Sequence, residues 1–535
     1  MSQKNNSTKQ SLFNCVVCGI SAHSKCAACS LVSYCSKAHQ KAHWKIHKNE
    51  CKCYEISVDS QLGRFLMTKR NINEKELILC DDALVMGPLF PKTDPVCIKC
   101  LKNLSRSNSA VESLCELCLW PICSTKCDPL NFLFSHQDEC NILAKAADLI
   151  AKSNKYRYEI LTPLRCILLQ IVNKNNWNRL IELQSHLEHR GPKSEVYTEI
   201  NSICNFLKQT YLRTFDFDTS EETIHKICGI LDVNALDVQL FGIYVSAIYP
   251  TISMLEHNCL PNIRLSYDKH GCACIYAARK IEKGEHLSTM YTNALWGTRE
   301  RRDHLMSTKY FNCSCKRCSS RTELGTHFST VICNAKQFCK GNLTPVNPLY
   351  ESSEWECDKC PTTVSSITID GIIASLSPAV EKVLQNPSIN SLEIMLEKLS
   401  KVVHTNHYMC FNVKHTLIQM YGHLPGYKHP DLTQELLERK LKLCREMFSV
   451  LNIIDPLYVR LNIYTAVVLF ELHLVLIEFS SRIIKNKSES EGMIDEAKVV
   501  LLKAIDILQN EPEESAGYKL LQVYKSSLTN NTIIL

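Results

Sequence analysis

Residues 15–51 read CVVCGISAHSKCAACSLVSYCSKAHQKAHWKIHKNEC and place eight of their ten cysteines and histidines in four short pairs. A tetrahedral zinc ion takes four such ligands, and two ligands a few residues apart can hold one ion from a single tight turn. The stretch therefore predicts two structural zinc ions, whose binding supplies most of its folding free energy. The expected ligands are Cys15, Cys18, Cys26, Cys29, Cys35, His39, His47 and Cys51.

A second stretch, residues 97–140, repeats the same order of pairs. The alternation predicts an interleaved arrangement, in which the first and third pairs bind one ion and the second and fourth pairs bind another. Cysteines buried simply as small apolar residues would not repeat this spacing. The expected ligands are Cys97, Cys100, Cys115, Cys118, Cys123, Cys127, His136 and Cys140.

Two smaller cysteine sets follow. Cys313, Cys315 and Cys318 lack a fourth ligand, for which Cys259 in EHNCLPN is the candidate. The other set has the two-knuckle layout of a zinc ribbon, with an unusually wide first knuckle. The alternative to a zinc site is that these four cysteines pack together without a metal ion. The members of this set are Cys333, Cys339, Cys357 and Cys360. The chain thus predicts about six zinc ions. Burial is expected for the other cysteines, Cys53, Cys80, Cys166, Cys204, Cys228, Cys272, Cys274, Cys410 and Cys444.

Composition indicates an intracellular globular protein. The 535 residues imply several domains, and 22% charged with 45% hydrophobic residues is ordinary for folded protein. Thirty cysteines behind a polar N-terminus favour metal ligation in a reducing compartment, where structural disulfides are disfavoured. The net charge of +6 is dispersed, so no nucleic-acid arm is expected. The apolar run 463–479 contains Glu471, His473 and Glu478, which predicts a buried helix and no membrane contact.

Hydrophobic patterning divides the chain into β-rich and helical segments. Paired strands are predicted in residues 55–87, mainly helices in 141–240, and short strands again in 241–291. Helices return after Cys360, and MIDEAKVVLLKAIDIL predicts one apolar helical face. The fold class is therefore α+β and multidomain. The residues on that face are Ile494, Ala497, Leu501, Ala504, Ile505 and Leu508.

Three blocks resemble a known family. YCSKAHQKAHWKIHKNEC (34–51) resembles the MYND zinc finger. SMLEHNCLPN (253–262) and KIEKGEHLSTMYTNALWGTRERRDHLMSTKYFNCSC (280–315) resemble the SET and post-SET segments of the SMYD family. This family inserts a MYND finger into a split SET domain, which here would be the second cysteine cluster. The first finger is then an extra N-terminal copy.

The extra finger, together with LTPLRC (161–166), TELG (322–325) and NPL (347–349), most resembles the arthropod SmydA-type branch. The resemblance implies a split β-rich SET domain, a post-SET zinc segment and an all-helical C-terminal domain. The implied domains are an N-terminal MYND finger (1–53), the first part of SET (54–96), an inserted MYND-type finger (97–140), a helical insert (141–227), the SET core (228–296), a post-SET and ribbon-like segment (297–362) and a helical C-terminal domain (363–535).

The resemblance also implies an S-adenosylmethionine-dependent protein-lysine N-methyltransferase, acting on histone or non-histone substrates and in transcription regulation, in the nucleus, the cytoplasm or both. The lysine amine must be neutral to attack, which desolvation in an apolar channel favours. Tyr291 matches the family's catalytic tyrosine. The matching cofactor-binding residues are Gly63, Arg64, Asn234, Glu256, His257, Asn262, Tyr291 and Phe311.

Two positions depart from the family pattern. Glu256 stands where the family has asparagine, so its charge would repel the cofactor carboxylate while attracting the sulfonium. Phe65 replaces the second glycine of a GxG turn. The alternative function is therefore a weak or inactive SET–MYND scaffold that recruits proline-containing peptides through its fingers. Direct DNA binding by the basic residues near 37–52 fits less well than a solvated basic face.

Overall fold

The structure is a computed structural model. It describes residues 14–29, 31–60, 62–89, 95–104, 113–127, 136–149, 156–213, 215–240, 243–268, 271–335, 339–483, 487–511 and 515–533. The chain divides into two compact units, Met1–Glu256 with Asn262–Leu287, and His257–Pro261 with Ser288–Leu535. Sheets and helices occur in both units, which confirms the mixed α+β class.

The first unit contains most of the strands. Its strands are β1 Ser24–Lys25, β2 Ser33–Tyr34, β3 Tyr54–Asp59, β4 Gly63–Thr68, β5 Leu77–Asp81, β6 Val85–Pro88, β7 Ser113–Leu114, β8 Pro121–Ile122, β9 Leu236–Leu240, β10 Ile243–Ile248, the start of β11 Glu256–His257, β12 Ile263–Tyr267 and β13 Ala273–Ala277. Its helices are α1 Lys37–Glu50, α2 His136–Leu143, α3 Leu161–Val172, α4 Lys174–Ile181, α5 Tyr197–Thr210 and α6 Glu221–Asn234.

Short antiparallel sheets build the β part of this unit. Strand β3 pairs with β4 across a turn that ends at Gly63, whose φ of +70° suits a residue without a Cβ. The other sheets have the strand orders β6-β10-β9 and β12-β13-β5. The paired strands predicted for residues 55–87 and the later short strands are thus confirmed. Helix α3 is buried from Leu161 to Leu169, so it lies in the core of the unit.

The second unit is mainly helical. Its strands are β14 Ser288–Thr289, β15 Val331–Ile332, β16 Asn342–Pro345, β17 Trp355–Cys357 and β18 Thr363–Val364. Its helices are α7 Thr298–Lys309, α8 Ser366–Gln385, α9 Ile389–Ser400, α10 Tyr408–Met420, α11 Gln434–Ile454, α12 Asn462–Arg482, α13 Lys487–Leu508 and α14 Ala516–Ile533. Strands β15 to β18 form one sheet in chain order.

Two predictions for the helical region are confirmed. Helix α12 is the predicted buried helix. Among the described residues it alone is long and apolar enough to cross a membrane by length and composition, and 61% of its most apolar window is buried within the unit. In α13, Ala497, Leu501, Ala504 and Leu508 of the predicted apolar face are buried.

The expectation of buried cysteines outside the zinc sets needs one correction. Three of them, Cys80, Cys272 and Cys274, are only half-buried. Cys80 and Cys274 face each other in register on β5 and β13 with Cα atoms 4.3 Å apart, and they form a disulfide. Sequence patterning could not reveal this pairing, because it depends on which strands become neighbours. The cysteines that are buried as predicted are Cys53, Cys166, Cys204, Cys228, Cys410 and Cys444.

Candidate functional site

The first finger brings its eight candidate ligands together in two groups. In each group, all ligand atoms lie within 4.8 Å of one another. Sulfur pairs are 3.6 Å apart for Cys18 and Cys35 and 3.7 Å for Cys26 and Cys51. Tetrahedral zinc with Zn–S bonds of about 2.3 Å requires sulfur–sulfur distances of about 3.8 Å, so both groups fit the ion. We name them the His39 tetrad (Cys15, Cys18, Cys35, His39) and the His47 tetrad (Cys26, Cys29, His47, Cys51).

The second finger has the same interleaved arrangement. The Cys97–Cys127 and Cys100–Cys123 sulfur pairs are each 3.7 Å apart. The hydrogen bond between Cys97 and Cys100 lowers the pKa of Cys97 to about 4 and raises that of Cys100, so the two thiols of this pair ionise unequally. The two groups are the Cys97 tetrad (Cys97, Cys100, Cys123, Cys127) and the His136 tetrad (Cys115, Cys118, His136, Cys140). In both fingers the structure groups the candidate ligands in the interleaved arrangement that the alternation of pairs predicts.

The second unit contains two further cysteine groups. Cys259 joins the post-SET cysteines, with its sulfur 3.5 Å from that of Cys318. In the ribbon-like sheet, sulfur pairs are 3.8 Å apart for Cys333 and Cys360 and 3.5 Å for Cys339 and Cys357. Both sets of distances fit tetrahedral zinc. The groups are the Cys259 tetrad (Cys259, Cys313, Cys315, Cys318) and the ribbon tetrad (Cys333, Cys339, Cys357, Cys360).

The candidate catalytic tyrosine lies in an aromatic cluster of the second unit. The ring of Tyr291 is 5.4 Å from that of His257 and 6.5 Å, edge to face, from that of Phe311. Strand β14, two residues before Tyr291, is held next to His257 because the Asn258 N–H donates to the Thr289 carbonyl. These three predicted site residues, which are 20 to 54 positions apart in the chain, therefore come together.

Both ring nitrogens of His257 contact protein groups. The backbone N–H of Tyr291 donates to Nδ1 at 3.0 Å, and Nε2 lies 3.4 Å from the sulfur of Cys259. Burial lowers the pKa of His257 to about 4, so the ring is neutral at physiological pH. A neutral imidazole that accepts at Nδ1 carries its hydrogen on Nε2 and donates to the sulfur. His257 therefore connects the Cys259 tetrad with the tyrosine backbone.

The two residues that depart from the family pattern meet at one side chain of the first unit. Glu256 contacts Nδ1 of His286 at 2.7 Å, and the ring of Phe65 stacks on His286 with ring centroids 4.2 Å apart. Asn262 is buried nearby, and its side-chain N–H donates to the backbone carbonyl of His286 at 2.8 Å. Glu256, Phe65 and Asn262 thus share a single partner.

The other predicted cofactor residues of the first unit lie on separate elements. Gly63 begins β4, and a Cβ built there meets no atom within 4 Å. Arg64 donates to the carbonyl of Glu182 at 2.6 Å. Asn234 ends α6, and its side-chain N–H groups donate to the carbonyls of Gln184 and Ile230. The Asn234 side chain thus holds the backbone at Gln184 and Ile230 in place. The backbone carbonyl of Asn234 accepts a hydrogen bond from the Ser253 hydroxyl at 3.5 Å.

A buried charge cluster supports the Cys259 tetrad. Arg301 donates to the sulfur of Cys318 at 3.6 Å and to Glu323 at 2.9 Å, and Arg317 donates to the same carboxylate at 2.9 Å. Burial raises the pKa of Glu323, but the two guanidinium groups outweigh it and hold the pKa at about 2. Glu323 is therefore ionised and neutralises part of the positive charge beside the Cys259 tetrad.

Sequence reasoning did not single out His286 or Glu323 as site residues. His286 lies five residues before Tyr291 in a quoted block, but its importance comes from contacts with residues 30 and about 220 positions away. Glu323 belongs to the TELG segment, which was used only as part of the resemblance to the SmydA-type branch. A buried acidic residue close to several arginines is the signal that could have identified it.

Comparisons with known proteins match both domain types. The MYND finger family matches residues 15–51, and the SET domain family matches residues 63–292 and so spans the second finger. The SET domain-containing protein SmydA-8, isoform A, of Drosophila melanogaster is 28% identical over 314 residues, covering 57% of this chain and 64% of that protein. The histone-lysine N-methyltransferase ASHR1 of Arabidopsis thaliana is 23% identical over 366 residues, covering 65% and 72%.

The chain is also similar to a further methyltransferase relative and to a solved structure. The N-lysine methyltransferase SMYD2 of Homo sapiens is 23% identical over 195 residues, covering 36% of this chain and 41% of that protein. A solved structure of Rubisco LSMT bound to AdoMet aligns with 90% of this chain and 95% of that chain, at a TM-score of 0.29 and 10% identity. The match to SmydA-8 spans about 64% of that relative's length. With a MYND finger match ahead of a SET domain match, and with relatives of both the SmydA and SMYD2 types, the chain is similar to SMYD proteins, including those of the arthropod SmydA branch.

Proposed function

We propose that this chain is a protein-lysine N-methyltransferase that uses S-adenosylmethionine. Bound S-adenosylmethionine would supply the methyl group on its sulfonium. The relatives named as lysine methyltransferases support this reaction class. The observation that carries the proposal is the fixed position of Tyr291, whose backbone is held by His257 and whose ring packs on His257 and Phe311.

The residues have distinct proposed roles. The Tyr291 hydroxyl orients the substrate amine, and the neighbouring aromatic rings exclude water, which favours the neutral amine. In the second unit, Phe311 is the residue proposed to pack on the adenine. In the first unit, Gly63 is proposed to allow a close approach of the backbone to the cofactor, and Asn234 and Asn262 are proposed cofactor-binding residues. Histone or other protein lysines are the proposed substrates, and transcription regulation is the proposed context.

Glu256 has a proposed compensating partner. Its carboxylate would attract the sulfonium and ammonium of the cofactor and repel the cofactor carboxylate. The 2.7 Å contact with His286 supplies a hydrogen bond that partly satisfies the carboxylate. Glu256 is therefore proposed to weaken cofactor binding without abolishing it.

We further propose that each of the six tetrads binds one zinc ion. The sulfur–sulfur distances of 3.5 to 3.8 Å support this assignment, since they match the edges of a zinc–thiolate tetrahedron. Zinc in the fingers would be structural. Zinc in the Cys259 tetrad would also support Tyr291, because Cys259 contacts the imidazole that holds the Tyr291 backbone.

Two measurements test the enzyme proposal. One is calorimetric titration of the full chain with S-adenosylmethionine, and the other is an assay of methyl transfer to histone and peptide pools. The wild-type chain is expected to bind the cofactor and transfer its methyl group. Tyr291→Phe should bind with similar affinity but lose on the order of 10²-fold in rate. The exposed Tyr350→Phe is the matched control and should behave as wild type. Failure of the wild-type chain to bind would contradict the proposal.

A second candidate function is a peptide-recruiting scaffold. The first finger exposes Val17, Trp44 and Ile46, with Ile46 64% and Trp44 45% accessible. Aromatic and aliphatic side chains held on a rigid scaffold suit proline-containing peptides, whose extended helix loses little entropy on binding. Titration with a proline-rich peptide should show binding that Trp44→Ala weakens and Ile171→Ala, an exposed apolar residue elsewhere, does not. Peptide binding without methyl transfer would favour this scaffold function.

A further inference from the structure

Arg165 is a buried cation in the middle of α3. Its side chain is 6% exposed, and each of its three nitrogens donates a hydrogen bond. The Nε and one Nη donate to the two oxygens of Glu139 at 2.7 Å. The other contacts are the backbone carbonyls of Met86 on β6 and Ile98, each at 2.9 Å. One guanidinium therefore joins three separate segments of the first unit.

Two of those segments belong to the second finger. Ile98 lies inside the first knuckle of the Cys97 tetrad, between Cys97 and Cys100. Glu139 precedes Cys140, and its Oε1 is 3.2 Å from Nδ1 of His136 in the other tetrad. Arg165 thus contacts a neighbour of each tetrad: the Ile98 carbonyl beside Cys97, and the Glu139 carboxylate that contacts His136.

Glu139 also determines which nitrogen of His136 is free for the metal. Arg165 donates to both oxygens of Glu139, which sets the carboxylate against His136. The carboxylate accepts the hydrogen on Nδ1 of His136, which leaves Nε2, 3.6 Å from the sulfur of Cys118, to bind zinc. A carboxylate behind a ligating imidazole raises its basicity and fixes its orientation.

The first finger offers a matched contrast. Its sequence HKNEC aligns with HQDEC of the second finger, so Glu50 corresponds to Glu139. Glu50 is exposed, and it contacts Arg70 through its backbone carbonyl at 3.4 Å. The two fingers thus share ligand spacing and an acidic residue but differ in burial and in the guanidinium contact.

We propose that Glu139 and Arg165 are positioning residues for zinc in the second finger, and that they tie this finger to strand β6. Glu139 acts on the His136 tetrad alone, whereas Arg165 acts on both tetrads of the finger. As a result, the second finger retains its metal more firmly than the first. The inference rests on the proposed zinc ligands.

Cysteine alkylation, followed by peptide mass spectrometry on the full zinc-loaded chain, reads each tetrad separately. Zinc-bound thiolates are protected, so labelling rates report metal release. In the wild-type chain, Cys118 and Cys140 should label more slowly than Cys29 and Cys51. Glu139→Gln should accelerate labelling of Cys118 and Cys140 by about 10- to 100-fold, the range found when partners of metal ligands are removed.

Two further variants separate the effect of Glu139 from that of an exposed glutamate and from that of Arg165. Glu50→Gln should change labelling of the first-finger cysteines by less than about threefold, since Glu50 has the same sequence position without the buried partner. Arg165→Met should accelerate labelling of Cys97 and Cys100 as well as Cys118 and Cys140. Equal effects of Glu139→Gln and Glu50→Gln, or no effect of Glu139→Gln, would overturn the proposal.

Unfolding of a variant is recognised independently. The buried Cys166 and Cys228 lie outside every tetrad and stay unlabelled while the unit remains folded. If Glu139→Gln exposes these two cysteines to labelling, Glu139→Asp is used as the test variant instead. The aspartate keeps the negative charge beside Arg165, but its shorter side chain does not reach His136 as closely. It should still accelerate labelling of Cys118, and an unchanged rate contradicts the inference. Native mass spectrometry of the wild-type chain separately counts bound zinc, so absent zinc would refute the ligand assignment itself.

Discussion

The imidazole of His257 accepts a hydrogen bond from the backbone N–H of Tyr291 at 3.0 Å. The same ring contacts the sulfur of Cys259 at 3.4 Å through its other nitrogen. Burial keeps the ring neutral, with a pKa of about 4, so one nitrogen accepts and the other donates. We propose that His257 is a positioning residue, because it links the sulfur of Cys259 to the backbone of Tyr291.

Replacing His257 with phenylalanine is expected to release the Tyr291 amide. The ring volume is nearly kept, but the N–H of Tyr291 loses its acceptor, at a cost of about 1 kcal/mol. Hydrogen exchange followed by mass spectrometry should therefore show roughly fivefold to tenfold faster exchange at Tyr291. The control, His304→Phe, alters a half-buried histidine of the same unit that packs on Trp296. Unchanged exchange in His257→Phe would show that the hydrogen bond does not hold this backbone.

The Glu256–His286 contact leads to a second prediction, on cofactor selectivity. Glu256→Gln keeps an oxygen for His286 but removes the negative charge. Both S-adenosylmethionine and S-adenosylhomocysteine lose attraction at the ammonium and gain relief at the carboxylate, but only S-adenosylmethionine also loses attraction at a sulfonium. The variant should therefore shift relative affinity towards S-adenosylhomocysteine by about fivefold, measured by calorimetry at low salt. Glu55→Gln, an exposed change in the same unit, should leave the ratio unaltered.

Sequence reasoning was most successful where ligands lie close together in the chain. The four interleaved finger tetrads follow from local spacing, because each knuckle is a tight turn and the alternation of pairs leaves few ways to combine them. The fourth candidate ligand, Cys259, lies 54 residues from Cys313 and could be predicted only because three cysteines require a partner; the structure groups all four. Chemistry with a fixed ligand number thus makes a long-range contact predictable.

Contacts without such a rule were missed. The stacking of Phe65 on His286 and the pairing of Cys80 with Cys274 depend on strand register, which the sequence does not specify locally. The Arg165 cluster was missed for a related reason. An arginine in an otherwise apolar helix looks exposed by pattern, and only the assembled fold shows that Glu139 neutralises it.

Glu323 provides a prediction for stability. Glu323→Gln removes the charge shared by Arg301 and Arg317 and leaves both buried cations without a neutralising partner, at a cost of about 3 kcal/mol or more. Thermal unfolding of the zinc-loaded chain should shift to lower temperature by several degrees. The exposed Glu354→Gln is the control. Equal midpoints for the two variants would rule out a major stabilising role for Glu323.

The same carboxylate contributes a defined pH dependence. Its pKa is lowered from 4.5 to about 2. The stabilisation is therefore complete above about pH 4.5 and is lost as the pH falls towards 2, because the unfolded state binds the proton first. Glu323→Gln removes this dependence. The difference in unfolding midpoint between wild type and variant should thus shrink between pH 5 and the lowest pH at which the wild-type chain stays folded.

Loss of the Cys259 tetrad should affect the region around Tyr291 more than loss of a finger. Cys259→Ser removes one zinc ligand and the sulfur that contacts His257, so hydrogen exchange should rise at Tyr291 and Phe311. Cys18→Ser removes a ligand in the first finger and should leave exchange at Tyr291 unchanged. Cys410→Ser, a buried cysteine outside the tetrads, should retain all the zinc. Native mass spectrometry measures the zinc content of each variant. If Cys259→Ser loses one zinc ion without faster exchange at Tyr291, the metal site does not support the tyrosine.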